Sequence, residues 1–217
     1  MNTVKDKLNV CAKWVILFFV LTTFTSCNNK KKVEVKNKDG VVVESYFVDK
    51  KNPETKIGVY NKYYDDGKIL EVANYTDGKL NGERNLYYPS GKLMQTENYI
   101  DNKYEGKFTA YYEDGSLQQD GIYKDNMMNG VWKNYFTAPK NKVKEEITLK
   151  DNHVLGPYKE YYNNGNIFAS GNKKEIMDDI DVFDGEVQIF DSTVNNKLIR
   201  KLQFENGRQV SKEEINN

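Results

Sequence analysis

The stretch NGERNLYYPSGKLMQTENYIDNKYEGKF, residues 81–108, carries a double tyrosine, a Ser-Gly, a further tyrosine and an Asp-Asn before its glycine returns. The same figure runs on through EGKFTAYYEDGSL, residues 105–117, and NGVWKNYF, residues 129–136. Working outward, glycines recur at Gly58, Gly82, Gly106, Gly130, Gly156 and Gly185, with spacings of 24, 24, 24, 26 and 29. With each glycine as position 1, position 3 is Tyr60, Arg84, Phe108, Trp132, Tyr158 and Val187. Position 6 is Tyr63, Tyr87, Tyr111, Tyr135, Tyr161 and Phe190, and position 7 is Tyr64, Tyr88, Tyr112, Phe136, Tyr162 and Asp191. An aliphatic residue follows near position 12 (Ile69, Leu93, Leu117) and a tyrosine at position 18 (Tyr75, Tyr99, Tyr123). A fixed period of this length is the mark of a repeat architecture.

Each unit carries two turn signals. The first is Asp66-Gly67, Ser90-Gly91, Asp114-Gly115 and Asn164-Gly165; the second is Asp77-Gly78, Asp101-Asn102, Asp125-Asn126, Asp151-Asn152 and Asn206-Gly207. Asp, Asn and Gly tolerate the positive φ that short hairpin turns require. The segments between turns are rich in Tyr, Val, Thr and Ile, as strands are. Two strands and two turns fill a unit, so the expectation is all-β: an elongated, single-layer antiparallel meander of hairpins. About thirteen strands are expected, in a sheet that twists and curls.

Centring the first turn on positions 9 and 10 sets Tyr88 against Leu93 and Gly82 against Tyr99. Centring the second on positions 20 and 21 sets Tyr75 against Leu80 and Tyr99 against Tyr104. Side chains alternate between faces. Both turns therefore gather the glycine, aromatic 3, Tyr 7, aliphatic 12 and Tyr 18 on one apolar face. In this reading a tyrosine ring lies over the bare backbone of each repeat glycine. Tyr63, Tyr87, Tyr111, Tyr135 and Tyr161 fall on the other, polar face. Such a row is the candidate binding surface, since rigid amphipathic rings suit recognition. Simple cross-strand packing is the competing account.

The amino terminus reads as targeting. Lys5, Lys7 and Lys13 precede WVILFFVLTTF, residues 14–24, an apolar run of 11 residues, whereas a membrane span takes roughly 20. FTSC, residues 24–27, resembles the cleavage and lipidation site of a bacterial lipoprotein, with Cys27 as the acylated residue. An ordinary secretory peptide and an uncleaved anchor are the alternatives. Residues 28–38, NNKKKVEVKNK, are expected to form a basic tether, residues 39–57 a partial repeat, 58–210 six repeats and 211–217 a tail. The expected location is the bacterial cell envelope, on a membrane left unspecified.

The chain has 32 basic and 32 acidic residues. Without residues 1–27 the balance is 29 to 31, which offers no general attraction to nucleic acid. The two cysteines, Cys11 and Cys27, and the single histidine, His153, leave the part after the signal short of the usual zinc ligands. His153 sits beside a turn with no nucleophile motif near it. DDIDVFDGE, residues 178–186, spaces Asp179, Asp181 and Asp184 like a calcium loop, but places Phe183 and Phe190 where ligands belong. No metal, cofactor or catalytic residue is expected.

The units beginning at Gly58, Gly82 and Gly106 resemble the MORN repeat (membrane occupation and recognition nexus), in the bacterial variant G-x-W/Y-x-x-Y-Y-x-x-G-x-L ending in Tyr-x-x-Gly. The resemblance extends over about residues 38–210, with departures at TAPKNK, residues 137–142, and KKEIMDDIDVFD, residues 173–184. It implies a non-catalytic hairpin array used for protein or membrane-lipid contacts. Relatives of this kind are also catalogued as antitoxin-like. The expected function is thus a non-enzymatic, lipid-anchored protein that binds a protein partner or envelope component. An immunity or antitoxin role against one toxin is the alternative.

Overall fold

The computed structural model describes residues 29–177, 180–193 and 195–215. The signal segment and Cys27 lie outside the described residues, as do Asp178 and Asp179 of the acidic connector. Among the described residues there is no helix. The strands in chain order are β1 (Lys30–Lys36), β2 (Val42–Asp49), β3 (Lys56–Tyr63), β4 (Ile69–Thr76), β5 (Lys79–Leu80), β6 (Gly82–Tyr87), β7 (Leu93–Ile100), β8 (Lys103–Tyr104) and β9 (Gly106–Tyr111). They continue as β10 (Leu117–Lys124), β11 (Met127–Tyr135), β12 (Val143–Lys150), β13 (His153–Tyr161), β14 (Ile167–Met177), β15 (Ile180–Phe183), β16 (Gly185–Phe190), β17 (Leu198–Glu205) and β18 (Arg208–Glu214).

All pair antiparallel in chain order. β1 pairs with β2 and β18 with β17, and the sheet is an open meander rather than a barrel. β5–β6, β8–β9 and β15–β16 are each one strand interrupted at a single residue, so the eighteen segments form fifteen strands rather than about thirteen. The additions come from the ends. Residues 30–36, expected in a tether, form β1, where Val33 and Val35 pair with Tyr46 and Glu44. β18 runs through residues 211–214, expected in the tail.

The five second turns read from the sequence, from Asp77-Gly78 to Asn206-Gly207, form as expected. Asp101 and Asn102 take φ of 50° and 70°, and Asp125-Asn126 and Asp151-Asn152 match them, as a two-residue type I′ turn demands. Tyr75 then pairs with Leu80, and Tyr99 with Tyr104. The first turn differs. Gly67 donates to the Tyr64 carbonyl at 2.9 Å and Tyr64 to the Lys68 carbonyl at 2.8 Å. That is a three-residue loop, a type I turn closed by a glycine at φ 82°. It moves the adjacent pairing by one residue, so Leu93 faces Tyr87 and not Tyr88. The expected register returns at Leu86 opposite Gln95, leaving Met94 as the bulged residue.

Gly82 faces Tyr99 as expected, but not in order to shelter a ring. A Cβ built at Gly82 would meet nothing within 4 Å. Between Leu80 opposite Tyr75 and Asn85 opposite Val72, the later strand contains two more residues than its partner. Gly82 takes φ 86° within this bulge, and the other five repeat glycines are also positive. The period therefore requires glycine for its backbone freedom.

Ring-over-glycine packing occurs elsewhere. At position 16 stand Ala73, Glu97, Gly121 and Gly171, opposite position 3 of the same unit. A Cβ on Gly121 would lie 2.2 Å from Cδ2 of Trp132, in the following unit. Trp132 is 1% exposed and packs with Phe108, Ala110 and Leu149 as the centre of the core. The core is thus a stripe of rings along one face, with centroids such as Tyr99–Tyr104 at 4.4 Å, Tyr104–Tyr123 at 4.8 Å and Tyr123–Trp132 at 5.0 Å.

Candidate functional site

The tyrosine row lies on the face opposite the aromatic stripe. Each position-6 ring pairs directly with the position-12 aliphatic: Tyr63 with Ile69, Tyr87 with Leu93, Tyr111 with Leu117, Tyr135 with Val143 and Tyr161 with Ile167. Position 12 therefore belongs to the tyrosine-row face, not to the aromatic one. Successive rings are two strands apart, about 9–10 Å. Tyr135 is buried, while the other four are half-buried. The packing account thus holds for the ring bodies, which cover aliphatic neighbours.

The hydroxyls divide the row. Tyr63 shares a hydrogen bond with Ser45 Oγ at 3.2 Å. Tyr135 donates to Asp120 Oδ1 at 3.2 Å and Tyr161 to Glu146 Oε2 at 3.0 Å. Burial, reinforced by Asp120, pushes the Tyr135 hydroxyl up to about 12. Burial, reinforced by the hydrogen bond to Glu146, does the same at Tyr161. Among the described residues, the hydroxyls of Tyr87 and Tyr111 have no such partner. These two neighbours in the middle of the sheet present half-exposed rings with an unused donor and acceptor. Beside them, Thr96 donates to Asn85 Oδ1 at 2.8 Å, which continues the polar surface.

Position 7 has a role that the repeat pattern did not disclose. Tyr64 donates its hydroxyl to the Tyr87 carbonyl at 2.6 Å, Tyr88 to the Tyr111 carbonyl at 2.7 Å and Tyr112 to the Tyr135 carbonyl at 3.1 Å. Tyr162 reaches the Phe190 carbonyl at 3.0 Å. Each rung ties one unit to the next along the first-turn edge. Phe136 lacks the hydroxyl, so the rung to Tyr161 is missing. On the other edge Asn102, Asn126 and Asn152 accept from the backbone N–H of Leu80, Tyr104 and Met128 at 2.7–2.8 Å. The double tyrosine is therefore one surface residue followed by one fastener.

A polar cluster interrupts the aromatic stripe at Arg84. Its Nε donates to Glu71 at 2.8 Å and its Nη1 to Glu97 at 2.9 Å. Glu97 is 1% exposed and also accepts from Tyr99 and Tyr104, each at 2.9 Å, and from Gln95. Four donors surround the carboxylate, which is what its burial requires. The sequence signal was present in two substitutions: Arg84 replaces the position-3 aromatic, and Glu97 the small residue at position 16.

The remaining expected residues fall apart from the row. His153 is largely exposed, with Nδ1 3.1 Å from Glu175 Oε2. Asp181 and Asp184 are taken up by Lys173 and Lys174 at 2.8 and 3.0 Å.

A family model described as a MORN repeat variant matches residues 56–77, 80–101, 104–125 and 155–174. The unit at Gly130 is not matched, although its strands pair as the others do. No curated protein matches the chain. Among solved structures, a crystal structure of TarM is similar at 15% identity, over 57% of this chain and 21% of that one, with a TM-score of 0.25. Likeness at that level bears on neither fold nor function. The four matched repeats, set within the open meander that continues their hairpins at both ends, identify the chain as a MORN-repeat protein of the variant type.

Proposed function

We propose that this chain is a non-enzymatic, lipid-anchored protein of the bacterial envelope. It binds a protein partner or an envelope component through the tyrosine-row face. The observation that carries the reading is the pair Tyr87 and Tyr111: half-exposed rings, adjacent along the sheet, whose hydroxyls the fold leaves unused. The repeat family supports a binding role in general terms. The anchor follows from the FTSC sequence at residues 24–27 and the apolar run before it.

Two experiments test the reading. Metabolic fatty-acid labelling detects the anchor. The wild type is expected to be labelled and membrane-bound, and Cys27→Ser unlabelled and soluble; continued labelling of that variant rejects the lipoprotein assignment. In-cell crosslinking followed by identification of the captured species tests the surface. Capture is expected to fall in Tyr87→Ala/Tyr111→Ala, and unchanged capture makes the row purely structural. One toxin bound with 1:1 stoichiometry would instead favour an immunity protein.

A further inference from the structure

The amino-terminal stretch, expected to be a solvated basic linker, is a strand, and this fixes its lysines in space. The chain leaving the signal segment joins the sheet at Asn29, whose side chain donates to Asp49 Oδ2 at 3.0 Å and whose carbonyl accepts from Lys50 N at 2.9 Å. Lys30 and Lys31 follow at the start of β1, and Lys50 and Lys51 occupy the adjoining loop between β2 and β3. All four are exposed, and among the described residues none forms an ion pair. Lys32 is the contrast, since its ammonium is held by Glu34 at 2.6 Å.

Charge is also divided along the molecule. Residues 29–62 contain nine lysines and five carboxylates, a net of +4; residues 63–217 contain 20 basic and 26 acidic residues, a net of −6. A negatively charged surface attracts one end of this sheet and repels the other. Cys27 is two residues from Asn29, a contour of about 7 Å, so an acyl chain there would bring that end to the bilayer and no other part.

We propose that the corner formed by Lys30, Lys31, Lys50 and Lys51 docks on the anionic phospholipid headgroups of a bilayer, holding the sheet by its β1 end with the acidic remainder directed away. The corner lies outside the residues matched to the repeat family. Its geometry rests on the anchored reading above. Lipid chains and a polybasic patch reinforce each other in membrane attachment, and a lysine at an anionic surface strengthens it about fivefold.

The test uses the full chain reconstituted into phosphatidylcholine vesicles with or without phosphatidylglycerol. A fluorophore is placed at Asn52→Cys, beside the corner, or at Ser211→Cys on β18, and headgroup nitroxides serve as quenchers. The expected result is quenching at residue 52 and not at 211, only with phosphatidylglycerol. High salt and the combined Lys30→Gln, Lys31→Gln, Lys50→Gln and Lys51→Gln changes should both abolish it. Equal quenching at both sites, or in both lipids, overturns the proposal. Flotation with the vesicles reads the anchor separately. If salt-resistant flotation is absent, the anchor fails, and the corner still requires flotation at low salt that needs phosphatidylglycerol and is lost in the quadruple variant. Absence of that flotation overturns the corner as well.

Discussion

At the residue scale, two glycine types are sensitive to substitution for different reasons. Gly121 lies under Trp132, and a Cβ there would sit 2.2 Å from the indole. Gly121→Ala must displace the best-buried ring among the described residues, costing about 1–3 kcal/mol. Gly82→Ala meets no atom, and its cost is the strain of a left-handed backbone, about 1 kcal/mol. Urea denaturation of the two variants measures the difference, and a larger loss for Gly82→Ala than for Gly121→Ala would contradict the assignment. Arg84 offers a sharper case. Arg84→Ala leaves Glu97 buried and short of its cation, a loss of about 3 kcal/mol or more. Arg84→Phe with Glu97→Ala restores the aromatic-over-small pair seen at Tyr60 and Ala73. That double variant is expected to match or exceed the wild type in the same denaturation assay.

Tyr135 and Tyr161 add a dependence on pH. Their hydroxyls ionise near 12 in the fold, against about 10 in an unfolded chain. Between those values the folded chain keeps protons that the unfolded chain has released. The stability they provide is therefore complete below about pH 10 and declines as pH rises toward 12. Tyrosinate absorbance followed alongside circular dichroism will show late ionisation coupled to unfolding. Tyr135→Phe should lessen that coupling.

At the element scale, the unit of construction is the hairpin plus its fastener. Replacing Tyr88 or Tyr112 by Phe removes one hydroxyl-to-carbonyl rung and costs about 1 kcal/mol. Phe136→Tyr, supplying the missing rung, is expected to stabilise by a similar amount. Thermal melts of the three variants measure both signs, and a destabilised Phe136→Tyr would contradict the ladder.

The same elements show how much the sequence discloses. The second-turn pairs, Asp-Asn and Asp77-Gly78, form two-residue turns through their tolerance of positive φ, and those registers were legible to the residue. Ser90-Gly91 and its equivalents look similar but close a three-residue loop, because the glycine occupies the left-handed position after the turn. A one-residue difference in loop length changes which residues oppose one another. It was enough to move Leu93 from Tyr88 to Tyr87, and with it position 12 to the tyrosine-row face. Likewise β1 is hidden by composition: its lysines read as a linker, while Val33 and Val35 suffice to extend an existing sheet edge. As for the site, periodicity revealed that a row of tyrosines exists. Which hydroxyls are satisfied depends on side chains of the preceding strand, 15 to 18 residues away in sequence, at Ser45, Asp120 and Glu146, and only the structure brings those together.

At the scale of the whole molecule, one layer of fifteen strands has two faces with distinct duties. The aromatic stripe holds the sheet together, while the tyrosine-row face is packed at its ring bodies and unfinished at two hydroxyls. Charge sets a direction along the same sheet, from a basic amino-terminal end to an acidic remainder. The central claim is that Tyr87 and Tyr111 serve binding while Tyr63 and Tyr161 serve the fold. The most direct measurement compares partner capture and thermal stability for Tyr87→Phe/Tyr111→Phe and for Tyr63→Phe/Tyr161→Phe. The first pair should keep its melting temperature and lose capture, and the second should lose stability and keep capture. The reverse pattern, or full capture by the first pair, would contradict the claim.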